Sequence, residues 1–299
     1  MGAPDNNDNN APKNSFFVDE IEDKLMKKTL LIDIITKECA SSSHDILKKI
    51  YAAVFSSNND GSKLEATILS GGYTNYSYKV YVDKHPNICI FAKLCFEFAL
   101  WNPDKSAHYD LQRTVNEYEI MLASHKKTPN SVVLPLAVLD TKQNDQNMKV
   151  LITEWSAADE QFCNQFIDGS VDSRIAPQLA NTLAELHLIT DFDPNFNENV
   201  KPCMQSMLDN TMKPPAVEAS RKTTNPKDRT ETYCSSLGEE LVTKIMDECI
   251  SNYHQRDCLI HSDSHVCNTL VETKPSIEHL EQFGPNGTVV LCDWEMAMA

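Results

Sequence analysis

The spacing of hydrophobic positions changes character twice along the chain. Over about 20–40 and again over about 44–56 they recur at three- and four-residue intervals, which predicts two amphipathic helices. In the second, Ile46, Leu47, Ile50, Tyr51, Val54 and Phe55 share one face, with Ser43 placed to cap it. The period then falls to two. Leu64, Ala66 and Ile68 alternate into the turn Ser70-Gly71-Gly72-Tyr73-Thr74-Asn75, and Tyr76, Tyr78, Val80 and Val82 alternate out of it, so a hairpin is expected. A turn at His85-Pro86-Asn87 leads to a third strand over 88–96, then to a helix over about 110–125. Two further strands, 132–139 and 149–153, are joined by a polar turn over 142–147. After Glu154 the helical period returns. Ile175, Leu179, Leu183 and Leu186 mark a helix ending near His187, and 237–253 predicts another with Leu241, Ile245, Met246, Cys249 and Ile250 toward the core. The stretch 209–235 is polar and reads as a loop or insertion, and a hairpin over 269–292 has a long connection carrying Pro275, Gly284, Pro285 and Gly287.

A chain of 299 residues holds one large or two ordinary domains. Its first 16 or so residues are Asn, Asp and Pro of low complexity, without apolar content to fold, so 1–18 is expected to be a disordered tail. The formal net charge is −16, from 43 acidic against 27 basic side chains. That argues against nucleic acid and anionic membrane surfaces as partners, since both are bound through clustered cations, and is compatible with a cationic small substrate. No apolar run approaches the eighteen or so residues a membrane helix needs, so no membrane insertion is expected. The N-terminus lacks the basic-then-apolar pattern of a signal peptide, and Asn6 stands where myristoylation wants Ser or Thr; a soluble cytoplasmic protein is the expectation. The ten cysteines form no C-x-x-C pair, and Cys89, Cys249 and Cys292 sit inside apolar runs. They read as small buried hydrophobes in a reducing compartment. His261, His265 and Cys267 make a poor zinc set.

Candidate chemistry concentrates near the end. The stretch Cys258-Leu-Ile-His261-Ser-Asp263-Ser-His-Val-Cys-Asn268 delivers an acid and, five positions on, an amide after a short apolar run. A second apolar run, Val289-Val-Leu-Cys292, ends in Asp293-Trp294-Glu295. Phosphoryl transfer needs such a layout: one carboxylate to receive a hydroxyl proton, and an amide and a later carboxylate to hold magnesium on nucleotide phosphates. Upstream, Lys93 lies within the apolar run Ile90-Phe-Ala-Lys93-Leu-Cys95, where a cation is costly unless paired. Glu117 and Glu119 on the following helix are candidate partners. Being two apart they lie on different faces, so only one can meet Lys93. Small residues around Gly71-Gly72 would let backbone N–H groups approach phosphate oxygens.

Taken together, these motifs resemble the aminoglycoside phosphotransferase, choline/ethanolamine kinase and methylthioribose kinase group, over roughly 60–299, as short motifs rather than continuous similarity. Ser262 stands where that group usually has Gly. The resemblance implies an α+β, two-lobed protein-kinase-like fold: an N-lobe over 19–153 with a five-stranded antiparallel sheet, a helical C-lobe over 154–299, and ATP in the cleft. It implies transfer of the γ-phosphoryl group to the hydroxyl of a small-molecule substrate. Asp263 is then the catalytic base. Ser70, Gly71, Gly72, Thr74, Asn75 and Lys93, with Glu117 chosen over Glu119, serve the nucleotide, and Glu154 and Trp155 form the hinge that meets adenine. Asn268, Asp293 and Glu295 are the Mg2+ ligands, and His261 is structural. His187 receives no catalytic role. The glycine turn leans toward a choline or ethanolamine acceptor and the Leu259-Ile260-His261-x-Asp263-x-His265 stretch toward methylthioribose. The group continues beyond its Asp-x-Glu segment whereas this chain stops at Ala299, so an incomplete C-lobe is expected. A catalytically inactive nucleotide-binding or interaction protein on the same scaffold is the alternative. The absence of His-Arg-Asp, Asp-Phe-Gly and Ala-Pro-Glu sequences disfavours a protein kinase. Oligomeric state is not legible.

Overall fold

The computed structural model describes residues 15–56, 60–69, 75–98, 110–143, 145–156, 158, 160–169, 175–189, 239–252, 259, 261, 264, 266–272, 289–295 and 297. Their order is α1 (Ser15–Ser41), α2 (Asp45–Phe55), β1 (Leu64–Ile68), β2 (Tyr76–Val82), β3 (His85–Phe96), α3 (Gln112–Lys127), β4 (Pro135–Gln143), β5 (Gln146–Glu154), β6 (Glu160–Gln161), α4 (Phe162–Asp168), α5 (Ile175–His187), α6 (Glu239–Asn252), a 3-10 turn (Val266–Asn268), β7 (Thr269–Val271) and β8 (Val289–Leu291). The fold is mixed α and β. Five strands form an antiparallel sheet in the order β1-β2-β3-β5-β4, and three short ones form a second sheet, β6-β7-β8. The chain divides into two compact units, 1–71 with 77–92 and 72–76 with 93–299, so β3 runs from one into the other.

In the first unit, α1 buries Leu31, Ile35 and Cys39, spaced one turn apart, and α2 buries Leu47, Ile50 and Val54. The β1–β2 register, Leu64 opposite Val82 and Ala66 opposite Val80, places these four buried side chains on one face of the pleat. Lys28 of α1 bonds Glu65 of β1 at 3.0 Å. Several local expectations shift. The helix starts at Ser15 rather than near 20, because Phe16, Phe17, Val18 and Ile21 extend the helical spacing. His44, not Ser43, holds the N-cap position of α2 and makes no side-chain cap bond; its N–H instead donates to Ser42 Oγ at 3.2 Å. Tyr51 and Phe55 are more than 40% exposed and pack on each other, ring centroids 5.3 Å apart, so only half of the expected face is core. Ile68 is likewise exposed. The turn after β2 falls at Asp83-Lys84, where Asp83 Oδ1 accepts the N–H groups of Lys63 and Lys84, both at 2.8 Å. β3 therefore begins at His85, and the residues expected to turn belong to the strand.

Within the second unit one apolar cluster joins α3 (Ile120, Met121), β5 (Leu151), α5 (Leu186), Ile189, Leu259 and the terminal segment (Leu291, Trp294, Ala297). A smaller cluster, Phe162, Ile175, Val271 and Val289, sits beneath the second sheet. Pairing between β4 and β5 continues to Gln143 opposite Gln146, so the expected six-residue turn shrinks to two, with Asp145 at φ 62°. Asp tolerates that left-handed conformation better than most residues. Two elements were not foreseen: β6, which pairs with β7, and α4. The exposed face of α6 also differs. Leu241 (45%) and Ile245 (41%) face solvent while Val242 is buried. The polar stretch 209–235 lies outside the described residues.

Candidate functional site

Lys93 occupies the part of β3 that belongs to the second unit, and it is only 6% exposed. Its ammonium contacts three carboxylates: Asp293 Oδ1 at 2.6 Å, Glu117 Oε1 and Oε2 at 3.2 Å, and Glu295 Oε2 at 3.2 Å. Burial, the largest single influence, opposes the charged amine, but Asp293, Glu117 and Glu295 together outweigh it and hold the Lys93 pKa well above its ordinary value. The lysine is therefore a fixed cation.

Helix α3 supplies two members of the cluster from one face, since Arg113 and Glu117 are four residues apart. Both are buried, whereas Glu119 is exposed, so the helix phase that the sequence left open brings Glu117 to Lys93. Glu117 Oε1 also accepts the backbone N–H of Trp294 at 3.1 Å. Burial, only partly offset by Lys93 and reinforced by the charges of Asp293 and Glu295, pushes the Glu117 carboxyl up to about 7.

The acidic segment follows β8. Asp293 sits at φ 63°, in the left-handed region, two residues past the end of the strand. Trp294 is fully buried; its indole N–H donates to Leu291 O at 3.0 Å, and its ring lies 4.5 Å from that of buried His261. The His261 ring in turn meets Cys292 O through Nε2 at 3.1 Å, a structural role. Cys292 N–H donates to Asn268 O at 3.0 Å, which sets Asn268 beside the residue preceding Asp293. Asp293 is the half-exposed member of the cluster, its side chain 36% accessible. Among the described residues its Oδ2 has no partner.

Glu295 is tied to three side chains. Besides Lys93, its Oε2 accepts Asn75 Nδ2 at 2.8 Å and lies 3.8 Å from Arg113 Nε. Arg113 Nη2 closes the loop by donating to Asn75 Oδ1 at 3.2 Å, and reaches Phe96 O at 3.5 Å. Although burial raises it, Lys93 and Arg113, with the Lys93 and Asn75 hydrogen bonds, draw the Glu295 carboxyl down to about 2. Asn75, Arg113 and Glu295 thus form a buried frame that fixes the residue just before β2, helix α3 and the acidic segment to one another. Sequence reasoning gave Arg113 no role. Its position four residues before Glu117 was the available signal.

The structure thus brings together Asn75, Lys93, Glu117, Asp293 and Glu295. Glu154, exposed at the end of β5, stands apart from their hydrogen bonds; its N–H donates to Leu134 O at 2.9 Å and its carbonyl accepts Thr153 Oγ1 at 2.8 Å. Trp155 beside it is half-buried. Ser70, Gly71, Gly72, Thr74 and Asp263 lie outside the described residues. Among the described residues no three His, Cys, Asp or Glu side chains are arranged as a metal site. The cluster nevertheless holds two cations, Lys93 and Arg113, against three carboxylates. The part-exposed carboxylate of Asp293 fits a hard divalent cation of the kind that keeps much of its water and takes one or two protein oxygens. No helix among the described residues is long and apolar enough to cross a membrane.

No protein-family profile and no curated protein matches this chain. Among solved structures, one that is similar is described as the microcompartment-associated aminopropanol kinase. The TM-score is 0.42 and the identity 14%, over 85% of this chain and 70% of that one, a likeness too low to carry function across.

Proposed function

We propose that this chain is an ATP- and magnesium-dependent small-molecule kinase that transfers a phosphoryl group to a substrate hydroxyl. The observation that carries this reading is the buried Lys93, bonded at once to Glu117 of α3 and to Asp293 after β8. A strand lysine paired with a helix glutamate, next to a part-exposed carboxylate, is what holding a polyphosphate and its metal requires. Lys93 would meet nucleotide phosphate oxygens, kept in place by Glu117. Asp293 and Asn268 would hold magnesium. Glu295, engaged by Lys93, Arg113 and Asn75, is assigned to the frame rather than to a second ion. Magnesium, when bound, neutralises charge on the phosphate oxygens. Asp263 orients the acceptor hydroxyl and takes its proton. Ser70, Gly71, Gly72 and Thr74 offer backbone N–H groups to the phosphates, and Glu154 and Trp155 border the adenine. A choline-, ethanolamine- or methylthioribose-like alcohol is the acceptor class, and the polar alcohol and the acidic chain suit a soluble, cytoplasmic setting.

The test is ATP consumption, followed with radiolabelled nucleotide and magnesium, over choline, ethanolamine, methylthioribose and aminoglycosides. Acceptor-dependent product formation supports the reading. Binding of magnesium-ATP without transfer to any acceptor would favour a non-catalytic nucleotide-binding scaffold, and absence of nucleotide binding would remove both.

A further inference from the structure

Arg113 occupies a costly place. It lies in the first turn of α3, where the helix dipole disfavours a cation, and it is 2% exposed, where an arginine must be held by partners. Its guanidinium gathers three stretches of the second unit that are far apart in sequence. Nη2 donates to Asn75 Oδ1 at 3.2 Å and reaches Phe96 O at 3.5 Å, on the strand that carries Lys93. Nε stands 3.8 Å from Glu295 Oε2, which also accepts Asn75 Nδ2 at 2.8 Å. Asn75, 3% exposed, thus has both ends of its amide engaged inside this frame. Charge alone does not call for the arrangement, since Lys93 already faces Glu295 at 3.2 Å. What arginine adds is a rigid planar fork of donors that lysine cannot reproduce.

The residue this frame acts on is Asp293. Its φ of 63° is a conformation that a non-glycine residue keeps only where its surroundings over-determine it. The two residues that follow it are both gripped from α3. Glu117 accepts the Trp294 N–H, and Arg113, with Asn75, holds the Glu295 carboxylate. Glu117 and Arg113 share one face of that helix. We propose that Arg113 is a positioning residue that, through Glu295 and Asn75, keeps the Asp293 backbone in its left-handed conformation and its carboxylate beside Lys93. The consequence for ligands, and only that, rests on the kinase reading above: the carboxylate that takes magnesium is then held at a fixed distance from the lysine that takes the phosphate. Arg113 itself touches neither ligand.

The test compares Arg113→Lys, which keeps the charge and loses the fork, with Asn75→Ala, which decides the matter should the first variant not fold. Exposed Glu119→Gln on the same helix is the control. Amide hydrogen exchange is read on the full chain without ligands. Over 292–295 it should quicken about tenfold or more in both variants, while α5 and β5 exchange as in the wild type and Glu119→Gln changes nothing. Exchange that keeps the wild-type rate, or that quickens equally across the second unit, overturns the proposal. Manganese, standing in for magnesium, is then titrated in the presence of ATP and followed by electron paramagnetic resonance. Its binding should weaken about tenfold in Arg113→Lys, with ATP affinity measured in EDTA within about twofold of the wild type. Equal loss of both, or loss of neither, overturns the metal step. A wild type that binds neither ATP nor manganese counts against the kinase reading, while exchange still decides whether Arg113 holds the Asp293 backbone.

Discussion

Replacing Lys93 by Met removes the cation on which three carboxylates converge, at 2.6, 3.2 and 3.2 Å, while leaving a side chain of similar length. The three acids do not suffer equally. Asp293 is 36% exposed and regains water. Glu295 keeps Arg113 and Asn75. Glu117, 3% exposed, keeps the Trp294 N–H but loses the cation that draws its carboxyl down against burial, so it must either stay a buried anion without a counter-charge or take up a proton. Breaking one side of a buried pair costs about 3–5 kcal/mol, and the partial relief at two of the acids puts this variant near the lower end. The measurement is urea unfolding at neutral pH, wild type against variant. A diagnostic second variant, Lys93→Met with Glu117→Gln, keeps an acceptor for Trp294 N–H but removes the orphaned charge, and should recover about half of the loss or more. The deficit of the single variant should also shrink toward pH 5, where the stranded carboxyl can take up a proton. A loss under about 1 kcal/mol for Lys93→Met, or no recovery in the double variant, would refute the claim that these charges hold one another in the fold.

Glu117 also sets a pH dependence of its own. With its folded pKa raised to about 7 from an ordinary 4.5, its contribution is fully present below 4.5 and is lost as pH rises through 7; stability should fall across that window, by on the order of 3 kcal/mol, and Glu117→Gln should flatten the fall in urea titrations. Glu295 acts in the opposite sense: lowered to about 2, its contribution is present above 4.5 and disappears as pH drops toward 2, a loss that Glu295→Gln should remove. On the proposed function magnesium with ATP should raise the melting temperature of the wild type, and Asp293→Asn, which tolerates the positive φ, should abolish that rise; an unchanged rise would take Asp293 out of metal binding. Asp263→Ala should reduce phosphotransfer at least a hundredfold with ATP affinity nearly intact; retained turnover would remove it as the base. Arg113→Met breaks the link from α3 to Asn75 and Glu295 and should cost about 2 kcal/mol in urea unfolding, against under 0.5 kcal/mol for exposed Glu119→Gln.

Much of the fold was legible because period-two and helical spacing are written plainly where one face is buried and the other wet. The β1–β2 hairpin, β4, β5, α3 and α5 are of that kind. Local stops were less legible. Pro86 argues for a turn, yet Asp83 captures two N–H groups and turns the chain earlier, leaving Pro86 near the beginning of a strand, where a missing donor is tolerated. The strand β6 and helix α4 escaped because a two-residue strand has no period and α4 is shorter than the window that reveals one. At the site, residue type singled out Lys93, Asp293 and Glu295, since a cation in an apolar run and acids at strand ends are costly without purpose. Residue type could not settle the phase of α3. Packing did, by burying Arg113 and Glu117 and exposing Glu119. Nor could it show that Glu295 is bound by Asn75 and Arg113, which arrive from elsewhere in the chain.

The charge balance of the cluster separates its exchangeable contact from its permanent ones. Lys93 and Arg113 face three carboxylates, of which Glu117 is pushed up to about 7 and Glu295 is held down. Glu117 and Glu295 are almost wholly enclosed, and each is tied to other groups besides Lys93, so moving either means desolvating nothing in return and losing several bonds. Asp293 is alone in being open to water, and it reaches Lys93 through a single oxygen. Without ligands, Lys93 and Asp293 neutralise each other. A phosphate oxygen offers Lys93 an equivalent partner, and a divalent cation offers Asp293 a stronger one, so anion and cation together can replace the Lys93–Asp293 contact where either alone would strand a charge. Nucleotide and magnesium should therefore bind cooperatively at this cluster, through a contact that Glu117 and Glu295 are too deeply held to provide.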